Sequence, residues 1–451
     1  MSTPPATNDP WAADSSTELP KPSTGGRRWA FLTLAIVLDL VAFGVLAFAY
    51  YKIFLQDTNA ATESAAATQP SGATIRGAAS VAISMREPDF FICKSKRDDL
   101  PAGSIVYSSL SEALAKCMAG GTVRIVDQEV YEEQILHGRR SGGTSSISVK
   151  IVAEKGPDGK TATLRLPKDA PPGSALVQLE NAAGFSMTGL NLDGDGRAED
   201  LILITGNCPG ATIDDCRMQG FKRSGIRLTK CEGHDEELGH PVAIRLRGLR
   251  FGLPADGFQA EMTPILFLGD NQNVVVQRCR FHGAWPTPVH VEGSLKAAQF
   301  DHNLFCGEQK AAIAFGEEPG SAPSLDVTLT NNTFCGCQAA LAFRQAPAAG
   351  GVVACMNNVF YKVGEGFGLA EGRITLEQIG AVLRGEGNVR DPKTPQGHFA
   401  KLANVQCEEM TFELPTKPDT DARWLRYPLN SPLAKAGQNG AYVGALPPTV
   451  E

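Results

Sequence analysis

The sequence predicts an all-β solenoid, built of short strands stacked coil upon coil and tethered by one membrane-spanning helix. Three observations predict it. One phrase occurs twice, in Leu325-Asp-Val-Thr-Leu-Thr-Asn-Asn-Thr-Phe-Cys-Gly336 and Gly351-Val-Val-Ala-Cys-Met-Asn-Asn-Val-Phe-Tyr-Lys362. Its aromatics, Phe334 and Phe360, lie 26 positions apart, and such a period of short strands is what a stacked repeat writes into a chain. The phrase also extends backwards as aligned columns, and a long apolar run lies near the N-terminus.

The columns are anchored on Leu192, Met218, Phe251, Phe281, Phe305, Phe334 and Phe360, at intervals of 26, 33, 30, 24, 29 and 26. Two residues before each anchor stand Leu190, Cys216, Leu249, Cys279, Asn303, Asn332 and Asn358. Positions three and five residues before that slot are apolar, as in Leu329 and Val327, and the position between them is mostly polar. Such alternation is the signature of a strand with one buried face. A second strand follows in each coil, for example Gly225–Leu228, Pro264–Phe267, Pro288–Val291 and Ala339–Phe343. A β-sandwich would instead show hairpin turns every 8–12 residues. A propeller would need a period of about 40 or more.

Before the repeats, residues 1–28 are rich in Pro, Ser and Thr and read as a disordered tail. Residues 29–54 read as a transmembrane helix. The apolar run Trp29–Tyr51 is interrupted by Asp39, and about 23 helical residues reach about 35 Å, enough to span a bilayer core. Lys21, Arg27 and Arg28 precede it, which places the N-terminus in the cytoplasm and the main domain outside. Ala47-Phe48-Ala49 leaves open a cleaved signal peptide instead. Residues 55–88, rich in Ala, Thr, Ser and Gly, read as a flexible stalk. The domain at 89–450 opens with an amphipathic helix over Ser108–Met118, then strands at Gly120–Val126 and Tyr131–Leu136.

Column by column, this pattern resembles the right-handed parallel β-helix of the pectin-lyase-like fold. The resemblance implies that the short helix caps the first coil and that Asn and Phe residues form ladders, each Asn amide bonding the next one coil up. Asn430–Leu446 resembles the closing segment of bacterial β-helix repeat proteins. Val126–Gln134 and Asn207–Ile213 most resemble β-helix regions carried outside the membrane by some bacterial Ser/Thr kinases, here without the kinase half.

Gly 47 and Pro 29 suit a loop-rich β protein. A net charge of −7 with no basic stripe argues against nucleic acid as a partner. Walker, zinc-type Cys-x-x-Cys and Gly-x-Ser-x-Gly motifs do not occur. Oligomeric state is not encoded legibly.

Enzymes of the resembled fold work on an outer strand face. The outward column here reads Thr188, Asp214, Arg247, Gln277, Asp301, Thr330, Met356, with Asp215, Arg278 and His302 one position on. Asp214, Arg247, Gln277, Arg278, Asp301 and His302 are therefore the expected ligand-binding face, since sugar hydroxyls need paired donors and acceptors. Catalytic candidates are His302, as a general base, with Asp301, Asp214 and Arg278. Against catalysis, Asp214 and Asp301 stand three coils or about 14 Å apart, beyond the roughly 5–9.5 Å of a glycosidase pair. Asp193 and Asp195 are candidate Ca²⁺ ligands, although an Asp/Gly turn is the commoner meaning of such a motif. Otherwise no cofactor is expected. His234, Asp235, Glu236 and His240 fall in an insertion between coils. Of 11 cysteines, Cys306 and Cys335 are best placed for a bridge, at a spacing slightly long for one.

The sequence thus points to a membrane-anchored, extracytoplasmic β-helix that binds a polysaccharide or another envelope component without turning it over. The alternatives are a polysaccharide lyase or glycoside hydrolase with an atypical site, and a structural envelope spacer.

Overall fold

The chain divides into two units, Met1–Ser84 and Met85–Glu451. The computed structural model describes residues 89–448 of the second unit, apart from 95–99, 102, 118–120, 139–147, 236–238, 253–256, 258–260, 317–320, 371–373, 404, 411 and 413–424. The expected tail, transmembrane helix and stalk lie outside the described residues. Among the described residues, no helix is long and apolar enough to cross a membrane.

The strands stack in parallel files to form an all-β solenoid of about nine turns. In one file, Thr212–Asp214, Ile244–Arg247, Val274–Gln277, Leu295–Asp301, Leu325–Thr330 and Val352–Met356 pair in sequence. After a corner, a second file runs through Arg280–His282, Leu304–Cys306, Thr333–Cys335 and Val359–Tyr361. A third runs through Thr263–Leu268, Val289–Glu292, Ala311–Phe315, Ala339–Phe343 and Glu365–Leu369. In two earlier coils the second and third files are continuous, as the long strands Asn191–Asn207 and Arg217–Glu232. The insertion between coils is a small antiparallel pair, His234–Asp235 with His240–Pro241.

The sequence columns become the core. Phe281 stacks on Phe305 at 4.7 Å, Phe305 on Phe334 at 5.1 Å and Phe334 on Phe360 at 5.2 Å, all within 8° of parallel. Parallel strands in register bring identical side chains one coil apart, so flat rings stack face to face. Phe399 ends the stack edge-on to Phe360.

Beside the rings runs an asparagine ladder: the Asn303 amide donates to Asn332 at 3.1 Å, Asn332 to Asn358 at 3.0 Å and Asn358 to Asn388 at 3.0 Å. Each Oδ1 from Asn332 onward also accepts the backbone N–H of the Asn below it. All four side chains are fully buried, and Asn388 is a rung the repeat alignment did not reach.

The residue before each rung turns the corner with positive φ: His302 at 55°, Asn331 at 53° and Asn357 at 55°. In earlier coils Gly189, Asp215, Gly248 and Arg278 do the same. Asn tolerates this left-handed conformation because its amide bonds locally, and Asp and His are enriched in it too, whereas Arg adopts it rarely.

The N-terminal helix spans Leu110–Lys116, shorter than expected, with Ser109 as its cap. Glu133 accepts from the Leu110 and Ser111 amides at 2.9 and 2.7 Å. Leu110 and Ala113 join the main core. The strands Asp89–Ile92 and Ile105–Tyr107, which the repeat did not reveal, extend the first file at its start.

After its last strand, Gln406–Cys407, the chain turns back along the solenoid. Phe412, Leu425, Tyr427, Leu433 and Val443 form a second core against Leu304, Cys306, Cys335 and Tyr361.

Candidate functional site

The face expected from sequence forms in the expected register. Asp214 lies beside Arg247, Arg247 beside Gln277, and Gln277 beside Asp301. Its side chains bond to one another. Arg247 grips Asp214 through two N–H groups, Nε to Oδ1 at 2.9 Å, which holds the guanidinium above its usual pKa. Gln277 donates to Asp301 at 2.8 Å, and His302 Nδ1 lies 2.7 Å from the other Asp301 oxygen. Burial pushes the Asp301 carboxyl up, but the bond and charge of His302, the Gln277 bond and the Arg278 charge together outweigh it and hold the group below its usual value. His302 Nε2 is in turn 2.7 Å from the Tyr442 hydroxyl. Both ring nitrogens of the expected general base therefore have partners. Arg278, at the neighbouring corner, is exposed. Asp214 pairs with Arg247 and Asp301 with His302, so the structure assembles two separate groups here.

The candidate Ca²⁺ ligands also have cations of their own. Asp193 holds Arg165 at 3.0 Å and Asp195 holds Arg197 at 3.1 Å. Among the described residues, no three His, Cys, Asp or Glu side chains converge as a metal site. Cys306 and Cys335 sit opposite one another in register as free thiols, so the bridge expected between them is not formed. The hydrogen bond from Cys306 to Cys335 holds the first thiol protonated, and with Lys362 nearby it lowers the pKa of the second.

A groove of about 1200 Å³ lies on the third file, away from the face expected from the sequence. The outward column of that file reads Arg227, Leu266, His290, Ala314, Ala342, Gly368 in unbroken register. Side chains shrink to a methyl and then to hydrogen, so the face is hollowed over the later coils. Five strands in register make it about 19 Å long. Arg223, Lys310 and Arg344 line it together with Glu261, Glu292 and Glu365.

His290 sits at its centre and is 8% exposed. Its Nδ1 is 3.1 Å from Glu292 Oε1, and Arg344 Nη1 is 3.0 Å from its Nε2. Nε2 also lies 3.3 Å from the Gly316 carbonyl, but the shorter contact is with a guanidinium, which only donates; Nε2 therefore accepts from Arg344 and Nδ1 carries the ring proton toward Glu292. The bond from His290, helped by Arg344 and Arg223, holds Glu292 below the usual carboxylate range. At the N-terminal end, Asp200 is buried beneath Arg223, Arg227 and Ser224, at 2.9, 2.9 and 2.5 Å. Burial lowers the Arg227 pKa, while for Arg223 burial is outweighed by the bond and charge of Asp200 together with the charges of Glu199 and Glu292, and the pKa rises.

The groove's carboxylates stand far apart. Glu292 closes the strand Val289–Glu292, whereas Glu365 opens a strand three coils on, a separation of at least about 14 Å. Glu261 precedes Thr263–Leu268, whose far end pairs with Glu292, so the length of a strand separates those two. Neither spacing suits a pair of glycosidase carboxylates. The signal for this face was present: aligning the second strands as the first were aligned yields the same column.

No protein-family model and no curated protein matches the chain. Among solved structures, the chain is similar to a polygalacturonase from Erwinia carotovora ssp. carotovora at 14% identity and TM-score 0.44, covering 72% of this chain and 98% of that one. It is similar to a pectin methylesterase from Aspergillus niger at 10% identity and TM-score 0.31, covering 73% and 92%. It is also similar to a rhamnogalacturonan lyase at 12% and 0.28, covering 71% and 86%. These likenesses concern the course of the backbone and carry no activity across to this chain.

Proposed function

We propose that this chain displays, outside the cytoplasmic membrane, a β-solenoid that binds an extended saccharide in the groove of its third file without cleaving it. The observation that carries the reading is the groove itself: a trough with a floor of Leu266, Ala342 and Gly368 and walls of mixed charge. Sugar rings present apolar faces and hydroxyl edges, which such a floor and such paired donors and acceptors complement. Three cationic and three anionic side chains give the walls no strong preference for either sign. Full engagement of both His290 nitrogens and the wide carboxylate spacing support recognition over turnover. The apolar run Trp29–Tyr51 and its flanking charges support the anchor. In the same reading, the helix Leu110–Lys116 shields the apolar start of the core.

Hydrolysis or lyase chemistry is the second reading, favoured by one observation, the buried His290–Glu292 pair. The test is a screen of the full chain against linear glycans, scored for binding and for product. Binding without products, lost in Ala342→Trp, upholds the proposal. Reducing ends or unsaturated products that vanish in His290→Ala would overturn the non-catalytic reading. Absence of any binding leaves the spacer reading standing in its place.

A further inference from the structure

We infer that the outer face of the second file carries an oxyanion-binding site built on Arg217 and Arg250. The two arginines are partners in register on neighbouring strands, about 4.8 Å apart along the stack. Like charges facing each other across strands repel and destabilise the pairing unless something neutralises them. Nearby carboxylates have other partners: Asp215 holds Lys155 at 2.9 Å, Asp158 holds Lys160 at 2.9 Å, and Asp193 holds Arg165. Among the described residues, neither Arg217 nor Arg250 makes a side-chain hydrogen bond or ion pair.

The pair also opens onto space. A cleft of about 320 Å³, with Asn191 and the ion pairs Lys155–Asp215 and Lys160–Asp158 on its walls, and a second of about 230 Å³ are both lined by Arg217 and Arg250. This unneutralised positive pair stands out on a chain whose net charge is −7. Two guanidinium forks one coil apart are suited to a group with several acceptor oxygens, each fork able to bind two of them. The ligand chemistry is therefore a phosphate or sulfate group, either free or borne on a polymer. The site lies on a different file from the saccharide groove and does not depend on that reading.

The test is calorimetric titration of the full chain with inorganic phosphate, inorganic sulfate, dextran sulfate and uncharged dextran. An Arg217→Gln/Arg250→Gln variant is compared with Arg245→Gln/Lys296→Gln, which removes the same charge from exposed positions on the first file. We expect at least one anionic probe to bind, with a loss of about tenfold or more in the first variant and little change in the second. Binding should weaken as salt rises from roughly 0.05 to 0.3 M. Binding of free phosphate or sulfate identifies a small-anion site, and binding of dextran sulfate alone identifies a polymer-borne group. Equal loss in both variants, no loss in the first, or no binding of any anionic probe would overturn the inference. Unfolding midpoints for both variants check that each is folded.

Discussion

The hydroxyl of Tyr442 meets Nε2 of His302 at 2.7 Å, joining residues 140 positions apart in the chain. Because Asp301 faces Nδ1, that nitrogen carries the proton and Nε2 accepts from the tyrosine. The contact fastens the returning C-terminal segment to a corner of the solenoid. Gly444 and Ala445 add amide bonds to Asn357 and Thr333. Tyr442→Phe should cost about 1 kcal/mol and speed amide exchange in the stretch 433–446. Hydrogen–deuterium exchange that is unchanged there would show that the packing of Leu433 and Val443 holds the segment unaided.

Asn332 occupies the middle of the ladder. Its Oδ1 takes two donors from Asn303, and its amide reaches Phe300 and Asn358. Truncation to alanine leaves buried groups unpaired on both sides and should cost about 3 kcal/mol in urea unfolding. Asp at this position keeps the acceptor but directs a buried charge at the Phe300 carbonyl. It should therefore be no less damaging at neutral pH.

Phe334→Ala opens a gap between two stacked rings in a fully packed column. A loss of about 3–5 kcal/mol is expected, and Phe334→Leu should lose less. Because coils support only their neighbours, probes in the coils around Phe305 and Phe360 should report the damage first.

Acid should destabilise the solenoid through Glu292 and Asp301, whose carboxyls are held below their usual values by His290 and His302. Such a group stabilises fully above its unfolded pKa, about 4.3 for Glu and 3.9 for Asp, and this is lost as pH falls through the folded value. Thermal midpoints should therefore fall as pH drops below about 4. Glu292→Gln and Asp301→Asn should each make the decline shallower. A decline as steep in the double variant assigns the acid sensitivity to other groups, Glu133 among them.

Ligand binding should respond to the groove and not to the first file. Arg344→Ala removes a donor to His290 and a wall of the trough, and should weaken saccharide binding about tenfold or more. Asp214→Ala, on the first file, should leave affinity unchanged in the same titration. The reverse pattern would return the site to the face expected from the sequence.

The stacked fold was legible because one-coil periodicity forces identical environments onto positions 24–33 residues apart, so Phe281, Phe305, Phe334 and Phe360 repeat openly. The site was less legible for the opposite reason. A groove arises where outward side chains become small, and Ala314, Ala342 and Gly368 look like filler unless their column is aligned. His302 appeared chemical because it stood alone on an outward face, and the sequence could not show that Tyr442 returns to meet it. Arg217 and Arg250, 33 positions apart, make no basic run in the chain and become neighbours only through register.

Interval length varies between anchors, yet each coil re-enters the same register at its left-handed residue and its rung. A whole coil could thus be duplicated or excised between equivalent corners with the remaining seams rejoining, whereas a cut elsewhere would shift every face. Descendants of this chain should differ by complete turns, and the reach of the trough would then lengthen or shorten in steps of one coil.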